Sequence, residues 1–314
     1  MAARKRIIPS SARPASLASA EQAAVDYGVS DQPDWRTVAW RSHLRAVTVD
    51  TRRVHLVDLG SGAGTPVLFV HGLGGRWQNW IENVPRLAQS RRVVALDLPG
   101  FGRSQLPTAP ISIAGYAAVL DRICDLLELE SVVLVGNSMG GAIAAETAVR
   151  FPGRVKRLVL VSAAAISIRD FNPAPAAALM SAISHTPLGT TSGVRSLLGR
   201  RRARHLAFAA LVRHPTRIRT DTLCELVGGR GAAGLVGAMA AMISNELRGE
   251  LPEITAPALI IHGRNDMLVP VADSVWLSEQ IPGATLEIFE DTGHLAMLER
   301  PVHFNDLLLR FASA

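Results

Sequence analysis

Four compact aliphatic runs, Val67–Val70, Val93–Leu96, Val132–Val135 and Leu158–Val161, punctuate the first half of the chain. None alternates apolar with polar positions, so each is expected to be a strand buried on both faces. Trp80–Gln89, Ile113–Leu129 and Met139–Arg150 lie between or after them and read as helices. Arg45–Val49 and Arg53–Leu59 predict an opening hairpin. Farther on, Ala258–Ile261 and Thr285–Phe289 predict strands, with Ala272–Gln280 and Pro301–Phe311 as helices. Strand–helix repetition of this kind predicts an α/β fold, a mostly parallel doubly wound sheet with helices on both faces. From about Ile166 to Glu250 the alternation stops, and helical stretches broken by Pro, Gly and Thr predict an inserted cap. The expected organisation is a flexible extension over 1–36, a first core segment over 37–165, a helical cap over 166–250 and a second core segment over 251–314.

Ligands of such sheets bind outside the carboxyl ends of the strands. Every predicted strand end here opens into a polar or Gly-rich loop. Gly136-Asn137-Ser138-Met139-Gly140 joins an apolar strand to an Ala-rich helix, a pattern that forces a sharp turn and holds one hydroxyl at the sheet edge. Val70-His71-Gly72-Leu73-Gly74-Gly75 follows a second strand, and Asp97-Leu98-Pro99-Gly100-Phe101-Gly102-Arg103-Ser104 a third. His262 to Asp266 and Asp291 to His294 follow the last two. A serine hydroxyl needs a base to take its proton, and that base needs a carboxylate to orient it. His71 reads as support for its loop, Asp97 and Asp291 as turn formers, and His303 as an ordinary helix residue. Gly60 to Thr65 reads as a loop, since it lacks the third glycine and the following helix of a dinucleotide site.

On these motifs the chain, over about residues 37–314, resembles the α/β-hydrolase family. The family's order of serine, acid and histidine is met by Ser138, Asp266 and His294, which the resemblance makes nucleophile, orienting acid and base. It also implies an oxyanion hole from the backbone N–H groups of Leu73 and Met139. The implied activity is hydrolysis of a carboxylic ester or thioester of a hydrophobic substrate through an acyl-enzyme, with Trp77, Trp80 and the apolar cap suited to that portion. Two other readings stand beside it. The elbow is similar to that of the meta-cleavage product hydrolases, which cleave carbon–carbon bonds, although Leu73-Gly74-Gly75 replaces their usual Gly-Pro-Gly and Leu295 replaces their usual Trp. A ligand-binding receptor can also use this fold. Epoxide hydrolases and haloalkane dehalogenases of the fold carry a carboxylate nucleophile where this chain has Ser138, and the expected cap has no tyrosine to serve an epoxide.

Charge and composition add detail. The net charge is +6, and between Asp170 and Asp221 there is no acidic residue, while Arg195, Arg200, Arg201, Arg202, Arg204, Arg213, Arg217 and Arg219 all fall there. This is either a solvated face or a surface for anionic lipid or substrate; a single aromatic, Phe208, between Arg195 and Arg219 speaks against nucleic acid. Cys124 and Cys224 show no disulfide or metal spacing, and no phosphate-binding or His-Glu-x-x-His motif is present, so no cofactor and no metal are expected. The Arg/Lys-bearing start lacks the apolar stretch of a secretory signal, and no run approaches the roughly 18 apolar residues of a membrane span. The expected location is cytoplasmic, with peripheral membrane contact open to the basic cap.

Overall fold

The aliphatic runs pair into one sheet in the computed structural model, which describes residues 13–165, 191–227, 232–245 and 249–314. Its strands are β1 (Leu44–Val49), β2 (Arg52–Val70), β3 (Arg91–Leu96), β4 (Val132–Asn137), β5 (Val155–Val161), β6 (Ala258–Gly263) and β7 (Thr285–Phe289). β4 and β6 are buried along their whole length, as their aliphatic runs Val132–Val135 and Ala258–Ile261 demand. Neighbours run β1-β2-β4-β5-β6-β7, with β3 held against β2. β3 meets β2 twice: Leu56–Leu59 runs against Val93–Leu96, whereas Val67–Val70 runs with it.

That double pairing corrects one expectation. The predicted loop over Gly60 to Thr65 is part of a single bent strand. Its glycines let the backbone pass close to β3: a Cβ on Gly62 would lie 2.0 Å from the Ser90 carbonyl oxygen.

Helices cover both faces. α1 (Val84–Ala88), α2 (Ile113–Leu126), α3 (Met139–Arg150), α8 (Val271–Gln280), α9 (Ala296–Glu299) and α10 (Pro301–Ser313) belong to the α/β core. The predicted helix over Trp80–Gln89 is shorter, since Trp77–Trp80 forms a 3-10 turn and only Val84–Ala88 is α-helical. α2 starts where Ser112 accepts a hydrogen bond from the Gly115 N–H, and it buries Ile113, Tyr116, Ala117, Leu120, Ile123 and Cys124, a 3.6-residue stripe. One apolar core lies on each face of the sheet. The first joins Leu68, Val94 and Leu134 to α2 and α3; the second joins Phe69, Ala95 and Val135 to α10.

Between β5 and β6 the described residues form α4 (Thr191–Gly199), α5 (Arg201–Phe208), α6 (Thr220–Val227) and α7 (Leu235–Ile243), and no strand. The rest of the expected cap, 166–190, 228–231 and 246–248, lies outside the described residues. The extension expected over 1–36 is described from residue 13 on. Residues 1–12 are outside the described part, but over 13–36 the chain packs onto the core, with Tyr27 at 1% and Trp35 at 8% exposure. Their partners are buried carboxylates: Tyr27 donates to Glu299 and Trp35 to Glu82. A leader rich in Ala, Ser and Pro hid these two anchors.

Candidate active site

Ser138 caps α3 with φ 56° and ψ −117°, a backbone region that L-residues avoid. Close packing enforces this conformation. A Cβ on Gly136 would sit 2.1 Å from the Gly140 carbonyl oxygen, and one on Gly140 would sit 2.3 Å from that of Val70. The Ser138 N–H donates to the Val161 carbonyl at 2.9 Å, tying the elbow to β5. Ser138 itself is partly exposed at the carboxyl end of β4.

Asp266 and His294 arrive on neighbouring loops that bond to each other through the backbone. Asn265 N–H donates to the Thr292 carbonyl at 2.8 Å, and a Cβ on Gly263 would lie 2.0 Å from the Gly293 carbonyl oxygen. This approach places His294 Nδ1 at 2.7 Å from Asp266 Oδ2. The other carboxylate oxygen, Oδ1, accepts from the N–H groups of Leu268 and Val269 at 2.8 and 3.0 Å. Burial pushes the Asp266 carboxyl up, but the His294 charge and hydrogen bonds from His262 and His294 hold it well below the usual carboxylate range. Asp266 therefore stays ionised and fixes the proton on Nδ1, leaving Nε2 as the basic nitrogen. Asn137 joins the two halves, since its Nδ2 donates to the Val161 carbonyl at 3.1 Å and to that of His294 at 3.4 Å. Among the described residues no hydrogen bond links the Ser138 hydroxyl to His294. Catalytic hydrogen bonds of unliganded enzymes are often long and tighten with substrate.

Leu73 lies in a loop that His71 holds. His71 is fully buried: its Nδ1–H donates to the Gly72 carbonyl at 2.7 Å, and Nε2 accepts from the Leu98 N–H at 2.9 Å. Both ring nitrogens are occupied, and burial pushes its pKa down. Asp97 supports the same loop, accepting from the N–H groups of Trp77 and Arg103, each at 2.9 Å. Met139 is the first residue of α3, where a backbone N–H has no partner inside the helix. Gly72 brings its loop against the elbow, for a Cβ there would lie 3.0 Å from Ser138 Cβ.

Several supporting residues went unread in the sequence. His262 is fully buried, its Nδ1 at 2.6 Å from Ser274 Oγ and its Nε2 at 3.0 Å from the Val269 carbonyl and 3.3 Å from Asp266 Oδ2. Its place at a strand end, four residues before Asp266, was the available signal. Glu299 and Glu82 gave none, being single acids inside helical or turn segments. Asp291, a turn residue at φ 50°, pairs with His214 at 2.8 Å. Trp77 and Trp80 are core residues; Trp80 has no exposure and stacks on Phe69 at 4.5 Å. An apolar pocket opens elsewhere, beside the elbow, lined by Gly141, Ala142, Ala164, Met242 and Trp276. Arg76, in the Leu73 loop, reaches the Glu225 carbonyl of α6 and keeps a buried Nε–H without a partner. Among the described residues no three His, Cys, Asp or Glu side chains are grouped to hold a metal ion.

A strained serine at a strand–helix junction and a buried acid–histidine pair on the last two loops define a hydrolase of the α/β class. The family model for the α/β hydrolase fold matches residues 65–301, and the chain belongs to that family. It is 33% identical to the 2-hydroxymuconate semialdehyde hydrolase of Pseudomonas sp. strain CF600, over 82% of this chain and 89% of that protein. The solved meta-cleavage product hydrolase from Pseudomonas fluorescens IP01 is 27% identical, with a TM-score of 0.63 over 85% of this chain and 96% of its own. An esterase from Exiguobacterium antarcticum shares the fold at a TM-score of 0.67 and 24% identity, over 85% of this chain and 98% of its own.

Proposed function

We propose that the protein is a serine hydrolase that cleaves a carboxylic ester or thioester with a hydrophobic portion through an acyl-enzyme. Ser138 Oγ attacks the carbonyl carbon and passes its proton to His294 Nε2, while Asp266 stabilises the imidazolium. The N–H groups of Leu73 and Met139 hold the oxyanion, each such donor contributing ~2.7–4 kcal/mol to the transition state. His294 then protonates the leaving alcohol or thiol and activates a water that releases the acid. The observation that carries this reading is the buried 2.7 Å Asp266–His294 pair, hydrogen-bonded through Asn137 to the elbow that strains Ser138.

A second reading has its own support. The relative from Pseudomonas sp. is named for a ring-cleavage product, and Arg76 brings a largely buried guanidinium into the Leu73 loop, where an anionic substrate would gain from it. The same attack on a ketone would then expel a stabilised carbanion, making the reaction carbon–carbon hydrolysis. Assaying the purified protein on p-nitrophenyl esters of increasing chain length, acyl thioesters and a vinylogous 1,5-diketone separates the two. Ester or thioester turnover that Ser138→Ala abolishes supports the first reading. Turnover of the diketone alone transfers the assignment to the second, and tight ligand binding with no turnover refutes both.

Outside the site, Arg200, Arg201, Arg202 and Arg217 are exposed and have no carboxylate partner among the described residues, and Leu206 beside them is 83% exposed. A cationic face with a protruding aliphatic side chain is suited to anionic lipid headgroups.

A further inference from the structure

The backbone that carries His294 is held by one buried carboxylate. Glu299 has no solvent exposure. Its oxygens accept from the Gly293 N–H at 2.8 and 3.0 Å and from the Leu295 N–H at 3.2 Å, the two amides that flank the histidine. Arg213 N–H, from the segment after α5, donates to Oε2 at 2.8 Å, and the Tyr27 hydroxyl donates to the same oxygen. The remaining amide of the loop, His294 N–H, donates to the Leu211 carbonyl at 2.9 Å. Tyr27 is itself seated, because its oxygen accepts from the His214 N–H at 2.8 Å. The amides of residues 293–295 are thus all committed, two to Glu299 and one to the cap.

No cation pairs with this carboxylate among the described residues, so its only compensation comes from those donors. Burying an acid this way is expensive, and packing alone would accept an apolar residue at lower cost. Burial pushes its pKa up to about 7 even with the four donors opposing it. Around it stand Tyr27 and Asp26 from the N-terminal segment, Arg213 and His214 from the cap, Asp291 from the loop itself, and Arg300 beside it on the chain; His214 and Arg213 pair with Asp291, and Arg300 with Asp26. These pairs leave the Glu299 carboxylate to the backbone of the histidine loop.

We propose that Glu299 is the positioning residue of the base, and that Tyr27 completes it, making the N-terminal segment a working part of the active site. The proposal rests on His294 acting as base in the serine hydrolase described above. Neither side chain touches substrate. Each acts by fixing where His294 Nε2 stands relative to Ser138, and a misplacement of about 1 Å is enough to cost ~100-fold in rate.

The test uses Glu299→Gln, Tyr27→Phe and the double variant in the full-length protein. Three readouts are compared with wild type: the rate of Ser138 labelling by a fluorophosphonate, kcat and KM on the best ester, and the downfield proton resonance of the His294–Asp266 hydrogen bond. Labelling and kcat should fall by at least about tenfold in Glu299→Gln and several-fold in Tyr27→Phe, with KM within about threefold and the resonance shifted or broadened. The double variant should lose less than the product of the single losses, as for groups that act as a unit. Wild-type labelling rates and an unmoved resonance in both variants would overturn the proposal while leaving the serine hydrolase intact. If Glu299→Gln does not fold, Tyr27→Phe decides by the same readouts. A wild-type protein that neither labels nor turns over any substrate would instead sink the underlying reading.

Discussion

The elbow that carries Ser138 and the loop that carries His294 each fix one group of the proposed triad, and by opposite means. At the elbow, absence of side chains does the work: Gly136 and Gly140 let backbone pass where a Cβ would collide, and the resulting strain displays the hydroxyl. At the histidine loop, buried polar side chains do it: Asp266, His262 and Glu299 anchor ring and backbone through hydrogen bonds. Steric fixation involves no titratable group and is indifferent to pH. Polar fixation recruits partners from the whole chain, Tyr27 and Arg213 among them, and responds to ionisation.

The largest effect that tests this difference belongs to the polar side. Asp266→Asn keeps the shape of the pair but removes the charge that fixes the imidazole proton on Nδ1, and should lower kcat by roughly 10³–10⁴-fold. Single-turnover kinetics would measure it. A loss under tenfold would mean that the loop backbone, held by Glu299, orients His294 without its acid.

Stability against pH gives the next. The Glu299 pKa lies at about 7 against an ordinary 4.5, so the folded state holds a proton that the unfolded chain releases between those values. Its contribution is fully present below pH 4.5 and is lost as pH rises to 7, a decline of about 3 kcal/mol. Glu299→Gln does not titrate. Urea denaturation of both proteins from pH 4.5 to 8 should therefore show wild type losing about that much relative to the variant. A pH-independent difference would show that the carboxyl is ionised throughout.

The steric side predicts no such dependence. In Gly140→Ala the new Cβ meets the Val70 and His71 carbonyls, whose backbone cannot yield without moving β2 from α3. The expected cost is about 1–3 kcal/mol, with slower Ser138 labelling at every pH. A pH-dependent loss would remove the distinction between the two regions.

The same contrast explains what the sequence disclosed. The elbow, the Asp97 turn and the Gly263 approach need the absence of a side chain at fixed positions, so their glycines spell them out in the sequence. The strands were legible because Val132–Val135 of β4 and Ala258–Ile261 of β6 are buried on both faces and therefore aliphatic without a break. Glu299 was not, since its meaning depends on Tyr27, 272 positions away, and on an amide of Arg213 whose identity is irrelevant to the bond. The two aromatic anchors of the leader were illegible for the same reason, since in polar surroundings they carry no periodicity. Trp77 and Trp80 were open to both readings, for an aromatic beside a strand-end loop can face a ligand or the core, and only packing against Trp40 and Phe69 decides.

The smallest expected effect lies on the exposed face of α4 and α5. Arg195 and Arg219 share Asp221, whereas Arg200, Arg201 and Arg202 lie at the α4–α5 junction, exposed and without a carboxylate partner among the described residues. If that face meets anionic lipid, each arginine near the surface contributes about 1 kcal/mol, and Arg201→Gln should weaken sedimentation with phosphatidylglycerol-containing vesicles about fivefold. Salt should weaken it further, because the interaction decays within a Debye length of about 10 Å at 0.1 M. Pure phosphatidylcholine vesicles should not pull the protein down, and turnover of a water-soluble ester should be unchanged in the variant. Equal sedimentation of wild type and Arg201→Gln would reduce the arginines to a solvated face. It would leave the cap with the role its backbone already shows, that of lending Leu211 and Arg213 to the histidine loop.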